Sequence, residues 1–292
     1  MFDLFEKFDG TPKSDSSTNN SQESNTQSND YSSTSAPSYS STQNYSSTSS
    51  YSPKNKTFVL SVGGSVFFSD KLRAPEIAKF CETINELKRE GYEFVIVVGG
   101  GRVARVYQAG AKALGANNFD LDEVAIQITR ANAMLFTHII DNVWKEVLTD
   151  PKQAENVLLL GKTPVFGGTT PGQTTDAVGA IIAEMMNAEF VNLSNVDGIY
   201  SADPNKEANA KMYKELSHVR MLSLLKAEAS KPGGHSFLDA HAANIINRSK
   251  VRSYFVSGTD LENFKNCVRG NEFRGTTVRT ETLSNNSEEK SE

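Results

Sequence analysis

Three glycine-rich segments are the first feature of this sequence that predicts chemistry. They read Gly-Gly-Ser at 63–65, Gly-Gly-Gly at 99–101 and Gly-Gly-Thr at 167–169, and each follows a short apolar run. Glycine lets a backbone approach a phosphate without a Cβ in the way, and helix N-termini offer N–H groups to anions. None of the three matches the Walker A pattern or the Gly-x-Gly-x-x-Gly dinucleotide pattern. They therefore predict a phosphate-binding site of another kind.

The third glycine segment opens a longer polar loop, Gly-Gly-Thr-Thr-Pro-Gly-Gln-Thr-Thr-Asp at 167–176. An apolar helical pattern follows, and Thr174 or Thr175 is placed to cap it. Capping needs only one hydroxyl, whereas this loop carries four threonines. The additional hydroxyl groups suit a phosphate together with a sugar or a base, so we interpret the segment as a ligand loop.

A second polar loop, Asn-Val-Asp-Gly-Ile-Tyr-Ser-Ala-Asp-Pro at 195–204, follows the predicted strand at 190–193. Its Asp-Gly and Asp-Pro pairs are typical of a plain turn. At the ligand edge of a sheet, Tyr200 is also placed to stack on a base, and Asp203 to accept from a base or a ribose. Both interpretations remain open on this evidence.

Strands and helices alternate along the chain between these loops. This alternation predicts a three-layer α/β/α sandwich with a mainly parallel central sheet, in which ligands bind at the carboxyl ends of the strands. The segment 157–160 suits either a short strand or a helix end. The predicted strands cover 58–62, 94–98, 164–166, 190–193 and 252–256, and the predicted helices 75–90, 102–114, 122–136, 174–187, 240–249 and 261–269.

Composition divides the 292 residues into three parts. Residues 1–56 are rich in Ser, Thr and Asn and predict a disordered tail, residues 57–280 a folded domain, and residues 281–292 an acidic disordered tail. The two ends account for the whole formal net charge of -5, so this charge indicates nothing about the ligand of the neutral domain. The chain has neither the basic excess of a nucleic-acid binder nor a long membrane-spanning apolar run.

The N-terminal tip carries Phe2, Phe5 and Phe8 at intervals of three residues. This spacing favours a short docking helix for a protein partner or for the domain itself, and a plain start sequence is the alternative. The two cysteines, Cys81 and Cys267, fall in predicted helices and are expected to be small buried groups. We expect a cytoplasmic protein.

Seven segments occur in the order typical of the amino-acid kinase superfamily, and together they resemble its archaeal family of UMP kinases. The resemblance covers residues 58–279. It implies the amino-acid kinase fold and a homohexamer that phosphorylates UMP to UDP reversibly with ATP and Mg²⁺, in pyrimidine nucleotide (CTP/UTP) biosynthesis. The segments are Val-Gly-Gly-Ser-Val (62–66), Val-Gly-Gly-Gly (98–101), Ala-Arg (104–105), Ile-Gln-Ile-Thr-Arg-Ala-Asn-Ala (126–133), the loops 167–176 and 195–204, and Gly-Thr-Thr-Val (275–278).

The resemblance also implies which residues bind each nucleotide. Asp122 is expected to read the ribose of UMP, and Ser194 stands where a threonine is common, which keeps the hydroxyl. No residue spacing indicates a protein-bound metal. The implied UMP-binding residues are Gly100, Asp122, Thr169, Thr170, Pro171, Gly172, Gln173, Thr174 and Thr175, and the implied ATP-binding residues are Gly64, Ser65, Gly101, Arg105, Ser194, Tyr200 and Asp203.

Ser61 departs from the pattern of many superfamily members, which place there a lysine that neutralises the transferring phosphoryl group. The archaeal-type enzymes vary at this position, so activity is still expected. Arg105 lies one helical turn beyond Gly101 and is our candidate phosphoryl stabiliser, with a plain solvated arginine as the alternative. Lys162 and Lys231 are weaker candidates and are interpreted as surface residues.

Two other functions compete with UMP phosphorylation. The first is that of another kinase of the superfamily, acting on a carboxylate, a carbamate or an isoprenyl phosphate. The threonine loop and Asp122 oppose it, because those acceptors have no ribose. The second is that of a non-catalytic nucleotide-binding protein of the same fold, which only Ser61 favours.

Overall fold

The computed structural model describes residues 56–69, 71–204, 206–207, 209–229 and 237–280. The predictions for the N-terminal tip, the tail up to residue 55, the acidic end and Lys231 fall outside these ranges. Lys56 already contacts the sheet, since its carbonyl accepts from the Glu93 N–H at 3.1 Å and its Nζ lies 2.9 Å from a Glu189 oxygen. None of the described helices is long and apolar enough to cross a membrane.

A mixed sheet of seven strands forms the centre of the described chain, in the spatial order β3-β2-β1-β4-β8-β9-β7, and β5 and β6 pair separately. The pairs from β3 to β8 are parallel, whereas β9 runs antiparallel to β8. The strands are β1 (Thr57–Val62), β2 (Glu93–Val98), β3 (Val165–Phe166), β4 (Glu189–Ser194), β5 (Ile199–Tyr200), β6 (Met212–Tyr213), β7 (Glu215–Leu216), β8 (Ser253–Ser257) and β9 (Thr276–Val278).

Helices cover both faces of this sheet. They are α1 (Gly64–Phe67), α2 (Ala74–Arg89), α3 (Gly101–Ala113), α4 (Asn118–Phe136), α5 (Gln153–Leu159), α6 (Thr175–Met186), α7 (His218–Ala229), α8 (Ala240–Arg248) and α9 (Leu261–Arg269). One hydrophobic core joins the sheet to α2, α4 and α9, and a second core joins it to α5, α6, α7 and α8. The prediction of a three-layer, mainly parallel sandwich is confirmed.

Strand β1 shows why the central strands read as continuous apolar runs. Successive side chains of a strand point to opposite faces, and here both faces are buried. Val59 joins one core while Phe58 and Leu60 join the other, and all three are fully buried. Cys81 lies in α2 and Cys267 in α9, and both are free and buried, as predicted.

The helices differ from the predicted ones at several places. Helix α4 begins at Asn118 rather than at residue 122, because Asn117 and Asp120 form a capping box in which each side chain accepts from the backbone N–H of the other. The ambiguous segment 157–160 is the end of helix α5. Helices α1 and α7 and the strands β5, β6, β7 and β9 were not predicted, and strands of two or three residues are too short to show a period.

Candidate functional site

The register of the parallel strands brings the carboxyl ends of the central strands to one level. Val62 pairs with Val98 on one side and with Leu193 on the other, and Phe166 pairs with Val97. The glycine loops and the 195–204 loop therefore leave the sheet along the same edge. The chain adds β2 and β3 on one side of β1 and then crosses to place β4 on the other. This reversal makes the edge beside β1 the topological switch point, where ligands bind in such sheets.

The loops after β1 and β2 touch backbone to backbone at this edge. A Cβ on Gly64 would overlap the backbone nitrogen of Gly101, so only glycine fits there. Gly101 has a φ of +64°, in the left-handed region that favours glycine. Helix α3 begins at Gly101, so its first-turn N–H groups lie at the contact between the loops, where that of Arg102 donates to the Phe68 carbonyl at 2.9 Å. The structure thus brings together Gly64 and Gly101, which the resemblance assigns to the ATP phosphates.

Arg105 lies in the first turns of α3 and is exposed. No hydrogen bond or ion pair joins it to another residue of the part of the chain that the structure describes. Its guanidinium group is therefore open to solvent, and the prediction that it binds an anion at the glycine loops stays a prediction. By contrast, Lys162 lies just before β3, at the end of that strand away from the loops, and its Nζ sits 5.0 Å from the centre of the Trp144 ring. Lys162 is a surface residue, as interpreted from the sequence.

The threonine loop and Asp122 come together at the β3 end of the edge. The Gly172 N–H donates to Asp122 Oδ2 at 2.8 Å. Gly172 has a φ of +81°, and a Cβ there would meet open space. Glycine is therefore favoured at this position by the backbone conformation of the turn and not by a close contact. Thr174 caps α6 by accepting from the Ala177 N–H at 3.1 Å, as the sequence predicts for Thr174 or Thr175. The hydroxyl hydrogen of Thr174 is left to donate elsewhere.

A cavity of about 310 Å³ opens at the other half of the edge, beside β4 and β8. Four residues that the resemblance assigns to ATP line it: Ser65, Ser194, Tyr200 and Asp203. Phe237 and Phe255 supply an aromatic wall, with ring centres 6.0 Å apart and nearly perpendicular planes. Sequence reasoning missed both, because Phe255 reads as an ordinary strand residue and Phe237 lies outside the predicted elements.

The Tyr200 side chain is held at this cavity by polar contacts with Asp197 and, through it, Arg274. Its hydroxyl donates to Asp197 Oδ1 at 2.6 Å, and Arg274 Nε lies 2.5 Å from the other Asp197 oxygen. Burial and the bond to Asp197 raise the pKa of Tyr200, so the phenol stays protonated and keeps donating. Ser194 is also engaged, since its hydroxyl bonds both backbone polar groups of Val196 and closes a tight turn.

A polar cluster lies beneath the loops, where β1 and β4 meet α6. Ser61 donates to Asp176 Oδ1 at 2.5 Å, and Asn192 Nδ2 donates to the same oxygen at 3.2 Å. Burial raises the pKa of Asp176, and the charge of Asp239 adds to this effect, whereas the Ser61 bond and a backbone hydrogen bond from Asp239 oppose it. Ser61 therefore serves as a partner for Asp176. Sequence reasoning included Asp176 in the loop but assigned it no role.

Backbone N–H groups next to an aromatic cavity suit a chain of phosphates joined to a base, which is the arrangement of a nucleotide-binding α/β protein. Comparison with known proteins shows to which family of nucleotide-binding α/β proteins the chain belongs. The sequence model of the amino acid kinase family matches residues 56–257. The uridylate kinase of Archaeoglobus fulgidus is 40% identical over 213 residues, 73% of this chain and 95% of that protein. The uridylate kinase of Methanocaldococcus jannaschii is 42% identical over 207 residues, 70% and 92% of the two chains.

A solved structure agrees with these relatives. The crystal structure of uridylate kinase from Archaeoglobus fulgidus matches with a TM-score of 0.68 at 38% identity, and the match covers 76% of this chain and 99% of that one. The chain therefore belongs to the amino acid kinase family, and its relatives place it among the uridylate kinases of that family.

The raised pKa of Asp176 predicts a loss of stability as pH rises. As pH rises, the carboxyl group ionises in the unfolded chain before it does so in the folded one. Between the two pKa values the folded state therefore binds more protons, and the free energy of unfolding falls as pH rises. Asp176→Asn removes this ionisation. We expect a higher Tm than wild type at neutral pH and a difference that shrinks as pH falls toward about 4, the ordinary carboxyl range.

Thermal unfolding at a series of pH values from the carboxyl range to neutrality measures this difference. Asp141→Asn is the matched control, because the Asp141 side chain is 65% exposed and its replacement is expected to leave the Tm nearly unchanged. If Asp176→Asn is instead less stable than wild type at neutral pH, and the gap widens as pH rises, the fold favours the ionised form of Asp176.

Proposed function

We propose that the chain is a UMP kinase, which transfers the γ-phosphoryl group of ATP to UMP and releases ADP and UDP. The reaction is reversible and supplies UDP for the synthesis of UTP and CTP. The observation that carries the proposal is the contact between Gly64 and Gly101, where the candidate donor half and the candidate acceptor half of one sheet edge meet. The named relatives of the chain are uridylate kinases.

ATP occupies the half of the edge beside β1, β4 and β8 in this proposal. Its adenine enters the cavity of about 310 Å³, against Tyr200 and Phe255, where Ser194 and Asp203 supply polar contacts. The triphosphate then extends past Ser65 to the glycine contact. This direction is supported by Ser65 itself, which lines the cavity and directly follows Gly64.

UMP occupies the half beside β2 and β3, between Gly100 and the threonine loop. Asp122 uses one carboxylate oxygen for the Gly172 N–H, which leaves the second oxygen to accept from a ribose hydroxyl. The threonine loop leads directly into the N-terminus of α6, whose second residue, Asp176, bonds Ser61 of β1 and Asn192 of β4. The proposed contacts to the base and phosphate of UMP are Thr169, Thr170, Pro171, Gly172, Gln173, Thr174 and Thr175.

The chemistry needs position and charge rather than a general base. The phosphate of UMP has a second pKa of about 6 and is mostly dianionic at neutral pH. One of its oxygens forms a bond to the γ-phosphorus of ATP while the bond from that phosphorus to the bridging oxygen of ADP breaks. Mg²⁺ enters as part of the ATP substrate. Within the described ranges, no group of three His, Cys, Asp or Glu side chains is placed to hold a metal.

The protein's own charge for this step comes from Arg105 and from helix N-termini. Arg105 is exposed, lies four residues after Gly101 in α3, and has no carboxylate partner among the described residues. Helices α3 and α6 both begin at the loop edge, so the positive ends of their dipoles lie there. These groups take over the role that a lysine has in many superfamily members at the position of Ser61.

An apolar face of α3 supports assembly of the chain into the homohexamer that the resemblance implies. Val103, Val106, Tyr107 and Leu114 recur at helical spacing, and all are exposed, Leu114 to 90%. A contiguous exposed apolar stripe is typical of a protein interface. In this proposal a second copy of the chain covers the apolar face of α3. The enzyme is proposed to act in the cytoplasm.

A panel of acceptors tests the reaction. Release of ADP is measured by a coupled assay with UMP, CMP, dUMP, a carboxylate, carbamate and an isoprenyl phosphate, and the product of the UMP reaction is identified as UDP. We expect the highest kcat/KM with UMP. The value for dUMP should be about tenfold lower or more, because dUMP lacks a hydroxyl that a charged acceptor can bind. Absence of UMP turnover, under conditions in which ATP binds, would contradict the proposal.

Asp122→Ala tests the assignment of the two halves. We expect the KM for UMP to rise about tenfold or more, because a charge-assisted hydrogen bond is lost, and the KM for ATP to stay within about twofold. Glu123→Ala is the control, since it removes the next carboxylate of the same helix. An equal loss of affinity for both nucleotides in Asp122→Ala would mean that the halves are wrongly assigned.

Val106→Asp tests the proposed subunit contact. Val106 is 60% exposed in the single chain, so a charge there is compatible with the fold but costly in an apolar interface. We expect light scattering to give a smaller assembly than wild type. Leu160→Asp is the control, because Leu160 is similarly exposed, at 65%, and lies outside the α3 face. A monomeric wild type, or a variant of unchanged mass, contradicts the contact.

A further inference from the structure

Helix α4 holds the backbone of two of the glycine loops at once. It packs against α3 and beside β2 and β3, on the acceptor half of the sheet edge. Three of four consecutive residues, Thr129, Arg130 and Asn132, bond the loop backbone through their side chains. We name these three residues the α4 latch. They lie in the 126–133 segment, to which the sequence assigned no role in the site.

Thr129 fixes the orientation of Gly168. Its buried hydroxyl donates to the Ile126 carbonyl at 2.6 Å and accepts from the Gly168 N–H, also at 2.6 Å. A hydroxyl has a single hydrogen, so the bond to Ile126 leaves its lone pairs facing Gly168. A Cβ on Gly167 or Gly168 would lie 2.8 Å or 3.2 Å from the Thr129 oxygen. The loop therefore rests directly on the helix at Thr129.

Arg130 holds the next two carbonyls of the same loop. Its Nε donates to the Gly168 carbonyl at 3.0 Å and its Nη2 to the Thr169 carbonyl at 3.2 Å. Gly168 is thus bound at both its N–H and its C=O. The planar guanidinium group suits this task, because its donors keep a fixed spacing. Within the described ranges no carboxylate forms an ion pair with Arg130, so these carbonyls are its partners.

Asn132 connects the latch to the second loop. Its Nδ2 donates to the Gly99 carbonyl at 3.0 Å and to the Gly100 carbonyl at 3.3 Å, and the residue is buried. Thr129 also lies against this loop, since a Cβ on Gly100 would be 3.3 Å from its Cγ2. One rigid turn of helix therefore sets the distance between Gly100 and Gly168.

We propose that Thr129, Arg130 and Asn132 are positioning residues that hold Gly100 and the threonine loop at the spacing UMP requires. The inference rests on the proposed function, because it assigns UMP to these two loops. ATP should be affected little, since its cavity lies beside β4 and β8, on the far side of β1 from α4. Loss of the latch is therefore expected to change the KM for UMP and not the KM for ATP.

Thr129→Val tests the latch, because valine keeps the shape of threonine and removes the hydroxyl. We expect the KM for UMP to rise about tenfold, the effect of one lost buried hydrogen bond, with the KM for ATP within about twofold of wild type. Hydrogen–deuterium exchange of a peptide that contains Gly168 should become faster. Thr129→Ser restores the hydroxyl and is expected to recover most of the UMP affinity and the protection.

Thr137→Val is the matched control. Thr137 lies at the C-terminal end of α4, is buried, and donates to the Met134 carbonyl at 2.8 Å, as Thr129 does to Ile126, but it does not contact a glycine loop. This variant should leave the UMP KM unchanged. Arg130→Lys keeps the positive charge but loses the pair of donors that binds two carbonyls. A raised KM for UMP in this variant would show that Arg130 acts by positioning the loop and not by its charge alone.

Three outcomes overturn the proposal. They are unchanged exchange of the Gly168 peptide in Thr129→Val, a parallel rise of both KM values, and a Thr129→Ser variant as impaired as Thr129→Val. Failure of the proposed function is seen separately, as absence of UMP turnover in the wild type. The exchange measurement needs no turnover, and the melting temperature of each variant shows whether it is folded.

Discussion

The loops after β1 and β2 meet backbone to backbone at Gly64 and Gly101, and this close approach sets the geometry of the whole sheet edge. A side chain at Gly64 would overlap the Gly101 backbone, and Gly101 takes a left-handed φ. The contact also requires both strands to end at the same level, which the pairing of Val62 with Val98 ensures. In the proposed function, the two nucleotides occupy the two halves of the edge and share this border, the arrangement that phosphoryl transfer needs.

Buried central strands hold that border in place. The strands β1 and β2 are packed on both faces, so a shift of either one would disturb two cores. Polar groups beneath and beside the loops are paired rather than left to solvent: Ser61 and Asn192 bond Asp176, and the α4 latch bonds Gly100 and Gly168. The loops therefore take their geometry from the helices and strands below them.

Most of the long elements of the fold were predictable, with α7 as the exception, whereas most of the short ones were not. Strands such as β2 are continuous apolar runs, and helices such as α2 show apolar residues at helical spacing, so local pattern identifies both. The pair β5 and β6, with two residues each, owes its place to Thr276, whose hydroxyl accepts from the Ile199 N–H and donates to the Tyr213 carbonyl. Such a contact between distant segments leaves no periodic signal in the chain.

Strand period, glycine spacing and polar loops are local properties of the chain, and for that reason the fold class and the glycine loops could be predicted without coordinates. The assignment of individual residues to two nucleotides came from the family resemblance of these segments and stays a prediction. Other features emerged from the folded chain alone: Ser61 supports Asp176, Phe237 and Phe255 wall one cavity, and Thr129 and Asn132 join two loops. These pairings link residues that lie 18 to 115 positions apart. Their partners are set by how the layers pack, and no local pattern encodes that packing.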